Sequence, residues 1–252
     1  MIPKVIHYCW FGRNPLPESA VKCINSWRKF MPDYEIKEWN EDNFDVNAIP
    51  YTAEAYQMKK YAFVSDYARF WILYRYGGVY FDTDVELIKP IDDIVEKGPF
   101  MGIEVVCKVV PRDLVGYPMI APGLGIGVEA AHPFYQRLLD YYKGIHFVDK
   151  DGNPGSMDTI VVHTTRMLVK DGLKKGGAMQ RIAGIWLYPE DYFNPLDDLT
   201  GRLNKTENTR SIHWYARTWQ DRKPFKQWLA RMFHRLFGLQ LFKLRMKLKG
   251  LR

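Results

Sequence analysis

Tyr76-Gly77-Gly78-Val79-Tyr80-Phe81-Asp82-Thr83-Asp84-Val85 is the stretch from which the fold of this 252-residue chain can be read. Upstream of it, Phe63, Tyr67, Phe70, Leu73 and Tyr74 recur at three- and four-residue steps, which predicts a helix over residues 53–76 with one apolar face. The two glycines then end that helix, because glycine accepts the left-handed backbone that a helix terminus commonly requires. Residues 79–86 alternate strictly, with Val79, Phe81, Thr83 and Val85 on one side and Tyr80, Asp82, Asp84 and Glu86 on the other, the pattern of a strand. On such an extended segment the carboxylates of Asp82 and Asp84 leave the same face, with roughly 7 Å between their α-carbons.

Outward from this stretch, residues 4–10 read as a first strand, Pro15-Leu16-Pro17 as a turn, 19–30 as a helix and 34–39 as a second strand. A strand, a helix and another strand open an α/β layer fold, in which binding sites gather at the carboxyl ends of the strands. Residues 111–127 hold three prolines and four glycines among apolar residues, which marks a shaped loop, and 149–155 is a turn by composition. Residues 185–188 and 211–214 read as late short strands. With no internal repeat and no low-complexity linker, the simplest division is one domain over residues 1–221 and a tail over 222–252.

The composition, 47% apolar, 15% aromatic and 26% charged, supports a full core and excludes disordered, collagen-like and small disulfide-scaffold classes. The net charge of +7 is unevenly placed. Ten of the 36 basic residues follow Asp221, where no acid occurs, leaving 26 basic against 29 acidic side chains before it. A nucleic-acid binder would carry its excess charge on a folded face with its own motif, so no nucleic-acid partner is expected. Cys9, Cys23 and Cys107 are odd in number and form no metal-binding spacing, which favours a reducing compartment. The first residues run straight into strand-like sequence without a secretory pattern, and no stretch approaches the roughly 20 apolar residues that span a bilayer. The expectation is a cytoplasmic protein.

Asp82-Thr83-Asp84 offers hard oxygen ligands suited to a divalent cation, with positions left for phosphate oxygens. Asp66 and Arg69 stand three residues apart on the neighbouring helix. They are either an ordinary i,i+3 ion pair contributing about 0.2–0.5 kcal/mol or a polar fork that holds sugar hydroxyls beside the cation.

The blocks Ala62-Phe63-Val64-Ser65-Asp66-Tyr67-Ala68-Arg69 and Tyr76 to Val85 together resemble the D-x-D sugar-binding region of glycosyltransferase family 32. The opening Ile2-Pro3-Lys4-Val5-Ile6-His7-Tyr8-Cys9-Trp10-Phe11-Gly12, then Tyr192-Phe193-Asn194-Pro195 and Ile212-His213-Trp214 through Thr218-Trp219, are similar to further landmarks of that family. The resemblance implies a GT-A fold, an α/β protein with a mixed central sheet flanked by helices, and transfer with retention from a nucleotide diphosphate sugar, most simply a UDP-sugar such as UDP-galactose or UDP-glucose. It places Trp10 against the base, Tyr80 at the base or ribose, Asp66 and Arg69 on the donor sugar with Ser65 nearby, and Asp82 and Asp84 at an Mn²⁺ or Mg²⁺ ion. His213 would be a third metal ligand, Trp219 would donate its indole N–H to the diphosphate, and Thr218 stands where serine is more usual. In transferases of this type the leaving phosphate oxygen can take the acceptor's proton, so no dedicated base is named; Asp158, Glu129 and Glu104 are acceptor-side carboxylates to examine.

In the tail, Phe225, Trp228, Leu229, Met232, Phe233, Leu236 and Phe237 follow helical spacing opposite Lys226, Arg231 and Arg235, the profile of an interfacial helix. Residues 222–252 are therefore expected to bind an anionic membrane surface. That location fits an acceptor carried on the inner leaflet, a polyprenyl-diphosphate-linked oligosaccharide in capsular, exo- or O-antigen polysaccharide synthesis. The other readings are a toxin-like protein glucosyltransferase and a basic-tailed binding protein without catalysis.

Overall fold

The computed structural model describes residues 1–104, 110–155, 159–216 and 232. Its centre is a mixed sheet in the order β2 (Glu35–Trp39), β1 (Val5–Cys9), β3 (Gly78–Tyr80), β7 (Ile126–Val128), β5 (Phe100–Glu104), β9 (Ile185–Tyr188), β8 (Gln180–Ile182), with β6 (Met119–Ile120) paired to β5 off this path. β1 runs parallel to β2 and β3, and β5 parallel to β9, whereas β7 lies antiparallel between β3 and β5. Alternate residues of the central strands feed two cores on opposite faces: Tyr80, Met101 and Ile126 enter one, and Ile6, Val79, Phe81 and Phe100 the other. Helices α2 (Pro50–Gln57), α3 (Tyr61–Tyr76), α5 (Pro133–Lys143) and α6 (Ile160–Lys170) cover the first face, and α1 (Glu18–Phe30) and α4 (Asp92–Glu96) the second. This is the mixed α/β architecture expected of a GT-A fold. Cys9 and Cys23 are buried free thiols, and Cys107 lies outside the described residues. Among the described residues no helix is long and apolar enough to cross a membrane.

Two local expectations change. The helix expected over 53–76 is two helices, α2 and α3, broken where Lys59 takes a positive φ of 56° and the Lys60 N–H returns to the Ala55 carbonyl at 2.8 Å. The break lets α2 turn away from α3: Glu54 accepts hydrogen bonds from the Phe147 and Val148 N–H groups. The strand expected over 79–86 is also interrupted. β3 stops at Tyr80, residues 83–84 form a turn closed by the Val85 N–H on the Asp82 carbonyl at 3.0 Å, and β4 (Val85–Leu87) leaves the main sheet to pair with β10 (Ser211–His213). The two acids therefore sit on a turn rather than on one face of a strand.

What fixes that turn is packing on both sides. Trp27 of α1 is fully buried against Phe81, and its indole N–H donates to the Val85 carbonyl at 2.7 Å, so a large apolar body and its one polar group find partners on either side of the acids. Gly77 ends α3 at φ 66°, where an added Cβ would meet the Ala130 nitrogen and Pro3 at 2.9 Å. His7 ties this corner to β2: its Nδ1 accepts from the Trp39 indole at 3.1 Å, so its Nε2–H donates to the Gly77 carbonyl at 3.0 Å. Burial pushes the pKa of this imidazole down to about 4, which keeps it neutral.

Candidate active site

Helix α3 is apolar almost throughout its buried face, with Phe70, Ile72 and Leu73 fully enclosed, yet it also buries Asp66 and Arg69. A charge in that environment needs partners, and Arg69 has four. Its guanidinium reaches Asp66 at 2.9 Å, Asp82 at 3.1 Å and the Ser65 carbonyl at 3.1 Å, and lies 4.8 Å from the centre of the Tyr80 ring. The Tyr80 hydroxyl in turn donates to Asp82 at 3.1 Å. Burial works against the Arg69 charge, but Asp82, Tyr80 and Asp66 outweigh it, and its pKa is raised. Asp66 is the group that yields: burial lifts its pKa to about 7, with Arg69 holding it back and Asp82 lifting it further.

The second acid has different company. Asp84 accepts from the Ala216 N–H at 2.8 Å through one oxygen and faces His213 Nε2 at 3.1 Å through the other. The β4–β10 pairing makes this possible by setting His213 opposite Val85. Burial opposes the charge on both groups, but their mutual attraction and hydrogen bonds win, so the Asp84 pKa is lowered and that of His213 raised. One ligand atom each from Asp82, Asp84 and His213 lies within 4.8 Å of the others. Two carboxylate oxygens and one imidazole nitrogen converging at the end of a strand are a donor set that fits a divalent cation of the Mn²⁺ kind.

The expected residues thus form one constellation of Asp66, Arg69, Tyr80, Asp82, Asp84 and His213. Ser65 contributes its carbonyl, while its hydroxyl is turned onto the Tyr61 carbonyl at 3.2 Å. Trp10 follows β1, whose His7 pairs with Tyr80, so it shares the sheet edge that carries Asp82; its indole donates to the Asn14 carbonyl at 2.6 Å. Glu104 ends β5 on the same side and adds to the field on His213. Glu129 follows the opposite end of the β3–β7 pairing, beside His132 and Tyr135, away from the acids. Asp158, Thr218 and Trp219 lie outside the described residues.

One participant escaped the sequence reading. Gly123 has its carbonyl on the Asp82 N–H at 3.1 Å, and an added Cβ there would run into the Asp82 carboxylate and come within 3.2 Å of the Arg69 guanidinium. The only sequence signal was the proline- and glycine-rich composition of its loop.

The site thus joins an Asp-x-Asp turn beyond a central strand, an imidazole beside the second acid and a buried Arg-carboxylate fork beside the first. Residues 17–101 match the family described as "Glycosyltransferase sugar-binding region containing DXD motif". The chain is similar to inositol phosphoceramide mannosyltransferase 1 of Schizosaccharomyces pombe, 32% identical over 40% of this chain and 33% of that protein. It is also similar to the initiation-specific alpha-1,6-mannosyltransferase of Candida albicans, 26% identical over 72% of this chain and 47% of that protein. The chain spans about a third of the length of the first curated relatives it matches. Among solved structures it overlays on the PaToxG glycosyltransferase with a TM-score of 0.46, 18% identity, and coverage of 68% of this chain and 70% of that one. With the galactosyltransferase LgtC bound to donor and acceptor sugar analogs the TM-score is 0.44 at 12% identity, covering 93% and 95%.

Proposed function

We propose that the protein is a retaining, metal-dependent glycosyltransferase that moves a hexosyl group from a nucleotide diphosphate sugar, a UDP-hexose in the first instance, to a hydroxyl of a lipid-linked oligosaccharide. The observation that carries the proposal is the convergence of Asp82, Asp84 and His213 within 4.8 Å beside the buried Asp66–Arg69–Asp82 chain. Asp82, Asp84 and His213 would hold Mn²⁺ or Mg²⁺, which when bound supplies Lewis-acid stabilisation of the charge building on the departing diphosphate. Arg69 aims Asp82 through their 3.1 Å contact and is itself held by Asp66 at 2.9 Å. Asp66, in its ionised form, presents an acceptor oxygen to a donor-sugar hydroxyl. Trp10 is proposed to line the nucleotide end of the same sheet edge, whereas Tyr80, expected at the base or ribose, is fully buried and serves Asp82 through its hydroxyl; Thr218 and Trp219 are proposed to meet the diphosphate.

A lipid-borne acceptor draws support from two directions. One of the relatives is named for transfer to inositol phosphoceramide, a lipid. The basic residues of 222–252, unopposed by any acid, suit an anionic membrane surface, each contributing about 1 kcal/mol near it. The site of action proposed is the inner face of the cell membrane, with a polyprenyl-diphosphate oligosaccharide as acceptor. The test is hydrolysis and transfer measured over a panel of UDP-glucose, UDP-galactose, UDP-N-acetyl sugars and GDP-mannose, with Mn²⁺, Mg²⁺ or chelator. GDP-mannose is included because several of the curated relatives are named mannosyltransferases. Metal-dependent turnover of one donor, lost in Asp84→Ala, is expected; activity undiminished in that variant overturns the metal assignment. Binding to anionic vesicles that survives removal of residues 222–252 overturns the membrane assignment.

A further inference from the structure

His213 presents Nε2 to Asp84, yet its other ring nitrogen, Nδ1, is buried without a hydrogen-bond partner among the described residues. A metal-ligating histidine ordinarily has that second nitrogen fixed by a hydrogen bond, which sets the ring's orientation. Here something else must orient the ring, and it is Tyr215. The two rings stand edge to face, with centroids 4.2 Å apart.

Tyr215 is an unusual residue in its own right. Its φ is +52°, the left-handed region that suits glycine and strains a tyrosine. Such a conformation persists when its surroundings impose it and something depends on it. The surroundings are explicit. Tyr215 is buried with Leu196 and Ile212, and its hydroxyl accepts a 2.6 Å hydrogen bond from the Asn194 side chain, which is itself fully buried. Asn194 is held where helix α7 (Glu190–Phe193) ends, its N–H on the Glu190 carbonyl at 2.7 Å.

What depends on the kink is Asp84. The Trp214 N–H binds the Asp84 carbonyl at 2.9 Å and the Ala216 N–H binds the Asp84 carboxylate at 2.8 Å. The chain must turn at residue 215 to lay both flanking amides on one aspartate. A glycine would allow the turn without strain, but it would supply neither the ring against His213 nor the hydroxyl for Asn194.

We propose that Asn194 and Tyr215 are a positioning pair for the cation site: the buried hydrogen bond between them fixes the kink and the ring, and through these the orientation of His213 and the Asp84 carboxylate. The inference rests on the reading of Asp82, Asp84 and His213 as cation ligands. Asn194 and Tyr215 act through His213 and Asp84 in this proposal, so their loss weakens metal binding first.

The test is direct Mn²⁺ binding to the full-length protein without donor, followed by electron paramagnetic resonance of free Mn²⁺, for the wild type, Tyr215→Phe, Asn194→Leu, the double variant and Asn194→Asp. Near-ultraviolet circular dichroism checks the fold of each. Tyr215→Phe is expected to raise the Mn²⁺ dissociation constant by about 10-fold or more. The double variant should be no worse than the poorer single one, because both remove the same bond, and Asn194→Asp, which re-forms the bond in the opposite sense by accepting the Tyr215 hydroxyl proton, should recover most of the affinity. The Mn²⁺ concentration for half-maximal activity should rise by the same factor, with saturating Mn²⁺ restoring the rate. Wild-type affinity in a folded Tyr215→Phe, or additive losses in the double variant, overturns the pair while leaving the cation site standing. A wild type that binds neither Mn²⁺ nor Mg²⁺ overturns the cation reading and the pair with it.

Discussion

Arg69 holds Asp82 at 3.1 Å across the gap between helix α3 and the end of β3, and forms a buried pair with Asp66 of its own helix at 2.9 Å. Removing one partner of a buried pair leaves the other charge without compensation, which costs about 3–5 kcal/mol. Arg69→Met is therefore expected to lower the thermal midpoint strongly. Arg69→Lys keeps the charge but replaces a planar fork serving Ser65, Asp66 and Asp82 with a single ammonium group. Its expected signature is a smaller loss of stability and a donor KM raised about 10-fold or more, at 1.4 kcal/mol per tenfold. Differential scanning calorimetry and donor-saturation kinetics on the two variants separate charge from geometry.

Gly123 offers the opposite dissociation. A Cβ at this position meets the far end of the Asp82 side chain, which can swing aside at little cost to the fold but then gives up its contacts with Arg69 and Tyr80. Gly123→Ala is expected to lose about 100-fold in kcat/KM, the scale of a misplacement near 1 Å, while its thermal midpoint falls by only a few degrees. A full collapse of stability in this variant would show that the loop, rather than the carboxylate, gives way.

Which parts of this arrangement were legible beforehand follows from their sequence range. The β1–α1–β2 opening, the glycine corner and the Asp66–Arg69 fork are local patterns, and the structure places them within a residue or so of expectation. The D-x-D is legible in the sequence, but its geometry is not. Residues 79–86 alternate as a strand should, yet the turn at 83–84 is imposed by partners far along the chain, including Gly123 on the Asp82 N–H and β10 on β4. Alternation reports burial on two faces and is blind to a strand that changes sheets. The same holds for Asn194 and Tyr215: a tyrosine at positive φ has no sequence signature, and its partner lies 21 residues away.

His7 and Asp66 make opposed contributions to acid stability. The folded pKa of His7, lowered by burial to about 4, lies below its ordinary 6.5, so its contribution is fully present above pH 6.5 and is lost as pH falls through about 4. The shift corresponds to about 3 kcal/mol at 1.36 kcal/mol per unit. Asp66 is raised to about 7 from 3.8, so its protonated form stabilises the fold fully below pH 3.8, and that contribution is lost as pH rises through 7. Between pH 7 and 4 the two slopes offset each other in the native chain. Urea midpoints measured across this window should fall with acid more steeply in Asp66→Asn than in the wild type, and should fall less, or rise, in His7→Gln. Parallel curves for all three proteins would contradict both assignments.

The pairing of Asp84 with His213 sets a pH dependence on metal loading. Burial disfavours the imidazolium, but Asp84 more than offsets this and raises the His213 pKa above 6.5, whereas His213 and the Ala216 N–H lower that of Asp84 below 3.8. In the metal-free protein a proton on His213 thus occupies the position a cation would take, and a cation ligand must be the neutral imidazole. Mn²⁺ binding is expected to release that proton. Its affinity should rise about tenfold per pH unit below the His213 pKa, for one proton displaced, and level off above it. Calorimetric titrations in two buffers of different ionisation enthalpy, at pH 6 and pH 8, count the proton directly. His213→Asn should bind Mn²⁺ more weakly with the pH dependence largely gone, since Asp82 and Asp84 remain as ligands and no group is left to compete. An unchanged slope in that variant would show that the competing proton sits elsewhere and would remove His213 from the ligand set.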